Sequence, residues 1–179
     1  AVPVVAISKK ERAIRGAGNV EWMAASLCAT RHMITVLRKE DVGEPLTNLL
    51  QQNNINTNYL LHSNQRISTT KIRIISRNHH MMRLAAESAQ DMIKDDEDRL
   101  LSSFKNYIAA ENPGLVILED YNKGVLTENI IHSIIALCKQ HHILTAVDPK
   151  RKNFFAYQGI DIFKPNLKEV KEGLNLVAE

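Results

Sequence analysis

The feature that most constrains this chain is a change of rhythm near residue 95, after which short, wholly apolar runs alternate with segments of helical period. Residues 95–110 place Leu100, Leu101, Phe104, Tyr107 and Ile108 on one helical face and end at Asn112-Pro113-Gly114, a strong helix stop. Leu115-Val116-Ile117-Leu118 follows, with no polar alternate position, the pattern of a strand buried on both faces of a parallel sheet. Thr127 is placed to cap a helix over 127–141 whose Ile130, Ile131, Ile134, Ile135 and Leu137 face inward. Strands over 143–147 and 160–163 and a helix over 167–174 continue the alternation. Strand–helix–strand units build a parallel sheet with right-handed crossovers, so the expected fold class is α/β.

Residues 1–84 lack that regularity. Gly16-Ala17-Gly18-Asn19-Val20 precedes an apolar helical segment containing Val20, Met23, Ala24 and Leu27, and residues 51–65 are rich in turn-favouring asparagine. Residues 68–76 are rich in β-branched types and partly alternate, and 81–84 can pair back across a turn over 77–80, which predicts a β-hairpin. The expected organisation is one domain over 1–179, with the hairpin elements at about 55–86 and the α/β core at about 95–179. Both ends, Ala1-Val2-Pro3-Val4-Val5 and Gly173-Leu174-Asn175-Leu176-Val177, read as cuts from a longer chain.

Composition narrows the partners. A chain of 179 residues that is 44% hydrophobic can bury a core. The net charge of +3 comes from 23 basic and 20 acidic residues scattered along the sequence, which argues against nucleic acid as a partner. No apolar run approaches the roughly 20 residues that span a bilayer, and no basic-then-apolar leader is present, so no membrane association and a cytoplasmic location are expected. Cys28 and Cys138 stand too far apart for a metal spacing or a dense disulfide framework, which suits a reducing compartment.

In open parallel sheets ligands bind outside the carboxyl ends of the strands. Here those ends carry Glu119-Asp120-Tyr121-Asn122-Lys123-Gly124, then Asp148-Pro149-Lys150, then Lys164-Pro165-Asn166-Leu167-Lys168-Glu169. Carboxylates mixed with lysines suit phosphoryl transfer, which needs oxygen ligands for Mg²⁺ and positive charge for the phosphoryl group. A plainer reading stands beside it: Asp120 and Asp148 cap the following loops, Lys123 and Lys150 are solvated, and Asn166 with Glu169 satisfies the first-turn amides of a helix.

The hairpin adds Lys71, Arg73, Arg77 and Arg83, with Asn78 at its turn. Lys71 and Arg73 share one strand face and Ile72 and Ile74 the other, so one face can grip the phosphate of a sugar or serve as a charge-protected edge. Gly16 and Gly18 let backbone approach a small ligand while Asn19 bonds a hydroxyl. As a dinucleotide fingerprint the motif fails, because Glu21 stands at the third glycine position. His79-His80 and His141-His142 are adjacent pairs whose side chains diverge, and they read as turn and helix-end residues.

Taken together, Gly16-Ala17-Gly18-Asn19-Val20, Ser68-Thr69-Thr70-Lys71-Ile72-Arg73, Ser76-Arg77-Asn78, Met82-Arg83-Leu84, Asp120-Tyr121-Asn122-Lys123-Gly124-Val125-Leu126, Val147-Asp148-Pro149-Lys150 and Lys164-Pro165-Asn166-Leu167-Lys168-Glu169 resemble the heptose-7-phosphate kinase part of ADP-heptose synthase, a PfkB-type carbohydrate kinase. The resemblance implies an incomplete ribokinase-like parallel-sheet core with a small hairpin lid. It implies ATP-dependent phosphorylation of D-glycero-D-manno-heptose 7-phosphate at its anomeric hydroxyl, toward ADP-heptose and the lipopolysaccharide core. It further implies that Gly16, Gly18 and Asn19 line the sugar site, and that Lys71, Arg73, Asn78 and Arg83 reach the substrate from the lid. Asp120, Lys123, Asp148 and Lys150 would lie between sugar and nucleotide. Asn166 and Glu169 would arrange ATP and Mg²⁺, with Glu169 contacting the metal through water, and the lid would pair two subunits into a homodimer.

The chain departs from the pattern where Arg15, Glu21, Cys28 and Arg38 replace small residues and where Ala85 replaces Asp. The first five-residue stretch would be preceded by the family's first strand and its substrate aspartate. The glycine-rich element with the catalytic aspartate base would follow residue 179, so no catalytic base is expected within the chain and it should be inactive alone. Two competing readings are a noncatalytic sugar-phosphate-binding or regulatory remnant of the fold, and another PfkB-type kinase acting on fructose 1-phosphate or ribose.

Overall fold

A computed structural model describes residues 7–11, 13–14, 20, 23, 30–39, 43–76 and 79–176. Gly16, Gly18, Asn19 and Asn78, together with Arg15, Glu21, Cys28 and Arg77, lie outside the described residues. In chain order the elements are β1 (Thr35–Arg38), α1 (Gly43–Gln52), β2 (Leu60–Ser63), β3 (Thr70–Ser76), β4 (His79–Ala86), α2 (Lys94–Glu111), β5 (Leu115–Glu119), α3 (Glu128–Gln140), β6 (Leu144–Asp148), a 3₁₀ turn (Arg151–Asn153), β7 (Ile162–Phe163) and α4 (Leu167–Gly173).

Among the described residues the strands form three sheets: parallel β1–β2, antiparallel β3–β4, and parallel β5–β6–β7. The helices behave as their patterns require. α2 ends where Asn112 turns left-handed at φ 42, donating its N–H to the Ile108 carbonyl. α3 begins at Thr127, whose hydroxyl accepts from the Ile130 N–H at 3.3 Å. From α2 the side chains Leu100, Phe104, Tyr107 and Ile108, and from α3 Ile130, Ile131, Ile134 and Ile135, meet Leu118 and Val147 of the sheet in one core. Val36 and Leu61 bring β1–β2 into that same core, while the alternate residues Leu37 and Leu60 turn the other way onto Leu50 and Ile55.

The structure departs from the expected elements in four places. β5 is not buried on both faces: Leu118 packs under the helices, but Ile117 is 47% exposed and Leu144, on the same face of β6, is 55% exposed. The hairpin is longer than expected, because His79 and His80 pair with Ser76 and Ile75 rather than forming the turn. β1, α1 and β2, all within the stretch that reads as irregular, were not foreseen, and β7 is only two residues long. Arg38, one of the enlarged positions, sits in β1 and is absent from the positive-φ residues, so the larger side chain meets no backbone strain there.

Candidate active site at the carboxyl ends of the parallel strands

The ladder of β5 and β6 ends with Glu119 beside Asp148, and β7 joins on the far side of β6. All strands point the same way, so the three following loops open at one edge. There Lys150 is the hub: its ammonium is 3.0 Å from Asp148 Oδ2 and also donates to Glu169 Oε1. Lys164 stands 3.9 Å from the other Asp148 oxygen. Burial pushes the Lys150 pKa down, and the two carboxylates overcome that and leave it above the usual lysine value.

Asn166 and Glu169 form a reciprocal capping box at the start of α4. The Asn166 side chain accepts from the Glu169 N–H at 2.9 Å, and Glu169 Oε2 accepts from the Asn166 N–H at 2.7 Å. Glu169 is 5% exposed, so its two oxygens are divided between the cap and Lys150. Desolvation raises its pKa, but the Lys150 hydrogen bond and the Asn166 amide hold it below the ordinary carboxylate value.

Asp120 does not join this group. Side chains alternate along β5, and Asp120 continues the inward line of Leu118. It is 3% exposed and accepts from the Tyr157 hydroxyl at 2.7 Å, from Asn153 Nδ2 at 3.3 Å and from the Asn122 N–H at 2.7 Å. Its place is beneath the loop, fixing the turn that carries Lys123. Glu119, which the sequence reading passed over, is instead the side chain that lies on Asp148's face. Desolvation, and then the Asp148 carboxylate, raises its pKa. The signal in the sequence was an acid closing an apolar run, with the alternation placing it opposite Asp120.

The lid reaches this edge through Glu87, a second residue that the sequence reading missed. Glu87 follows β4 and stands 3.2 Å from Lys123 Nζ and 3.7 Å from Lys71 Nζ. The Lys123 hydrogen bond, above all, lowers its pKa. Lys71 and Arg73 lie on one face of β3, and Arg73 pairs directly across the ladder with Arg83 of β4. Like charges directly opposite are destabilising, and neither arginine has an ion-pair partner among the described residues.

A parallel sheet whose strand ends gather lysines and carboxylates, with a two-stranded cationic ribbon rising from the same edge, defines the ribokinase-like class of α/β proteins. The sequence model for "pfkB family carbohydrate kinase" matches residues 5–176, and the chain belongs to that family. It is 36% identical over 175 residues to the "Bifunctional protein HldE" of Helicobacter pylori (strain P12), covering 98% of this chain and 38% of that protein. With the protein of the same name from Caulobacter vibrioides it shares 34% over 176 residues, covering 98% of this chain and 35% of that one. The chain therefore spans little more than a third of the length of these curated relatives.

Solved structures show the same fold at low identity. The tetrameric inhibited form of phosphofructokinase-2 from Escherichia coli superposes with a TM-score of 0.67 at 16% identity, covering 97% of this chain and 58% of that one. Arabidopsis thaliana ribokinase complexed with ribose and ATP gives 0.57 at 14%, covering 87% of this chain and 49% of that one. No described helix is long and apolar enough to cross a membrane.

Proposed function

We propose that this chain is the sugar-binding side, and the first part of the nucleotide side, of an ATP-dependent kinase that phosphorylates D-glycero-D-manno-heptose 7-phosphate at its anomeric hydroxyl. The observation that carries the reading is the cationic lid face, which runs from Lys123 and Lys71 around Glu87 to Arg73 and Arg83, which have no ion-pair partner among the described residues. A phosphate-bearing sugar supplies the dianion that this face lacks, and guanidinium pairs grip phosphate oxygens bidentately. The identity to HldE proteins from several species supports heptose 7-phosphate as that sugar, and the ribokinase neighbour's complex supports ATP as the donor. In this reading Gly16, Gly18, Asn19 and Asn78, which lie outside the described residues, also contribute to sugar binding.

Mg²⁺ fits the site as a hydrated ion. The described residues hold no cluster of three or more metal-ligating His, Cys, Asp or Glu side chains, and both Glu169 oxygens already have partners. Mg²⁺ keeps several waters and takes phosphate oxygens readily, so Glu169 would hold it through water. When bound, the ion supplies charge neutralisation between the ATP phosphates. Asp148 and Glu169 hold the Lys150 ammonium at the strand ends, where it faces a transferring phosphoryl group, and Lys164 adds a second cation.

The chain by itself binds but does not turn over in this reading. Asp120 is locked by Tyr157 and Asn153, and Asp148 and Glu169 are committed to Lys150, which leaves these acids unfit as the hydroxyl's base. The lid joins two subunits through its other face, where Ile72, Leu84 and Met82 are about half exposed. Calorimetry tests the reading. Heptose 7-phosphate is expected to bind while heptose without phosphate and ribose do not, and Arg73→Ala or Arg83→Ala to weaken binding by about tenfold or more. Equal binding of the unphosphorylated sugar would sink it. A noncatalytic remnant is separated by joining the rest of the kinase domain to this chain: restored turnover with ATP and Mg²⁺ excludes the remnant.

A further inference from the structure

The loop after β5 and the segment that leaves the lid meet at a buried side chain outside the chemistry described above. Arg66, between β2 and the lid, is 8% exposed. Its Nη1 donates to the Gln90 carbonyl at 3.0 Å and its Nη2 donates to the Lys123 carbonyl. Gln90 lies on the return path from β4 to α2, and Lys123 lies in the strand-end loop, so one guanidinium spans two segments that are remote in sequence. Asp96 and Asp91 supply the field that keeps this buried cation charged against its desolvation.

The backbone closes the same junction. The Met92 N–H donates to the Gly124 carbonyl at 3.0 Å. Gly124 has φ +76, and a Cβ there would fall 1.8 Å from the Gln90 carbonyl oxygen, so the two segments touch main chain to main chain. On the outside Glu87 ties Lys123 to Lys71, and Lys152 pairs with Asp91. Contacts from both sides therefore bind the lid's return segment to the loop that carries Lys123.

We infer that Arg66 is a positioning residue that makes the lid's return segment and the Lys123 loop one mechanical unit, so that Lys123 and the lid cations approach or leave a bound sugar phosphate together. The final clause rests on the function proposed above; the joining itself is a property of the ligand-free protein. Only a forked side chain serves, because two carbonyls on separate segments need two donors held in fixed directions, which a lysine does not provide.

Amide hydrogen exchange on the ligand-free chain tests the joining, comparing the parent with Arg66→Met and Arg66→Lys. In Arg66→Met, residues 87–92 and 121–124 should lose protection together, by about tenfold, while α3 keeps its own. Arg66→Lys should restore protection in one segment at most. Acceleration spread equally over α3, or confined to one of the two segments in Arg66→Met, overturns the inference. Should Arg66→Met fail to fold, Arg66→Lys decides: parent-like protection of both segments overturns it. In a second arm heptose 7-phosphate is added. Parallel protection of both segments in the parent, lost in the variant, supports the final clause. No binding by the parent overturns that clause along with the proposed function, and the exchange result still decides the joining.

Discussion

Asp120 carries its charge into the interior, and three donors hold it there: the Tyr157 hydroxyl, the Asn153 amide and the Asn122 N–H. Burial, and then the Asp120 charge, pushes the Tyr157 hydroxyl well above the ordinary tyrosine range, so it stays a donor at any working pH. Tyr157→Phe leaves a buried carboxylate one donor short. The expected cost is about 1–3 kcal/mol, read as a lower urea midpoint with an unchanged slope. Cys138 makes a second residue-scale case. It is fully buried at the end of α3, and desolvation, followed by the Asp161 carboxylate, pushes its thiol up to about 11. Since the thiolate is the nucleophile, iodoacetamide near neutral pH should label Cys138 only after the chain is unfolded in urea, with the site mapped by mass spectrometry. That Asp120 and Glu119 face opposite ways was readable from strand alternation; which of the two had donors waiting was not. Tyr157 and Asn153 are distant in sequence and lie outside any motif.

α4 is an element of seven residues whose start is held by the Asn166–Glu169 box, with Lys150 on the other Glu169 oxygen. Asn166→Ala removes the acceptor for the Glu169 N–H and should cost about 1 kcal/mol, measured by thermal or urea unfolding. Glu169 adds a pH dependence whose sign follows from its lowered folded pKa. Its contribution is present above the ordinary value of 4.5 and is lost as pH falls through the lower folded value. Glu169→Gln should therefore show a smaller loss of stability than the parent between neutral pH and about pH 3. A parent and variant that lose stability in parallel would show that Glu169 contributes no such pH dependence. At this scale the sequence was informative. The Asn-x-x-Glu spacing, the Thr127 cap and the helical faces of α2 and α3 are local properties, and local propensity settles them. The short β1 and β2 were not legible, because a two-layered strand of four residues carries too little periodicity to separate it from a loop.

At the scale of the molecule, one face of β5–β6–β7 has Leu115, Ile117, Leu144 and Ile162 in a row, each about half exposed among the described residues. Contiguous exposed apolar surface binds dyes and other chains. The 179-residue chain should bind anilinonaphthalene sulfonate in its folded state and associate as concentration rises. Ile117→Lys should reduce both without a material change in melting temperature, since an exposed substitution shifts stability by about 0.5 kcal/mol or less. Loss of the fold instead would show that Ile117 already has a cover. The amino-acid sequence alone determined the α/β alternation, the hairpin, the helix caps and the family, because these rest on spacing within a few residues or on motif order along the chain. Only the tertiary structure decided that Asp120 turns inward, that Glu119 and Glu87 belong to the site's edge, and that Arg66 joins lid to loop. Each of those depends on which distant segments come within hydrogen-bond reach, and a bond made across dozens of residues leaves no period in the sequence to read.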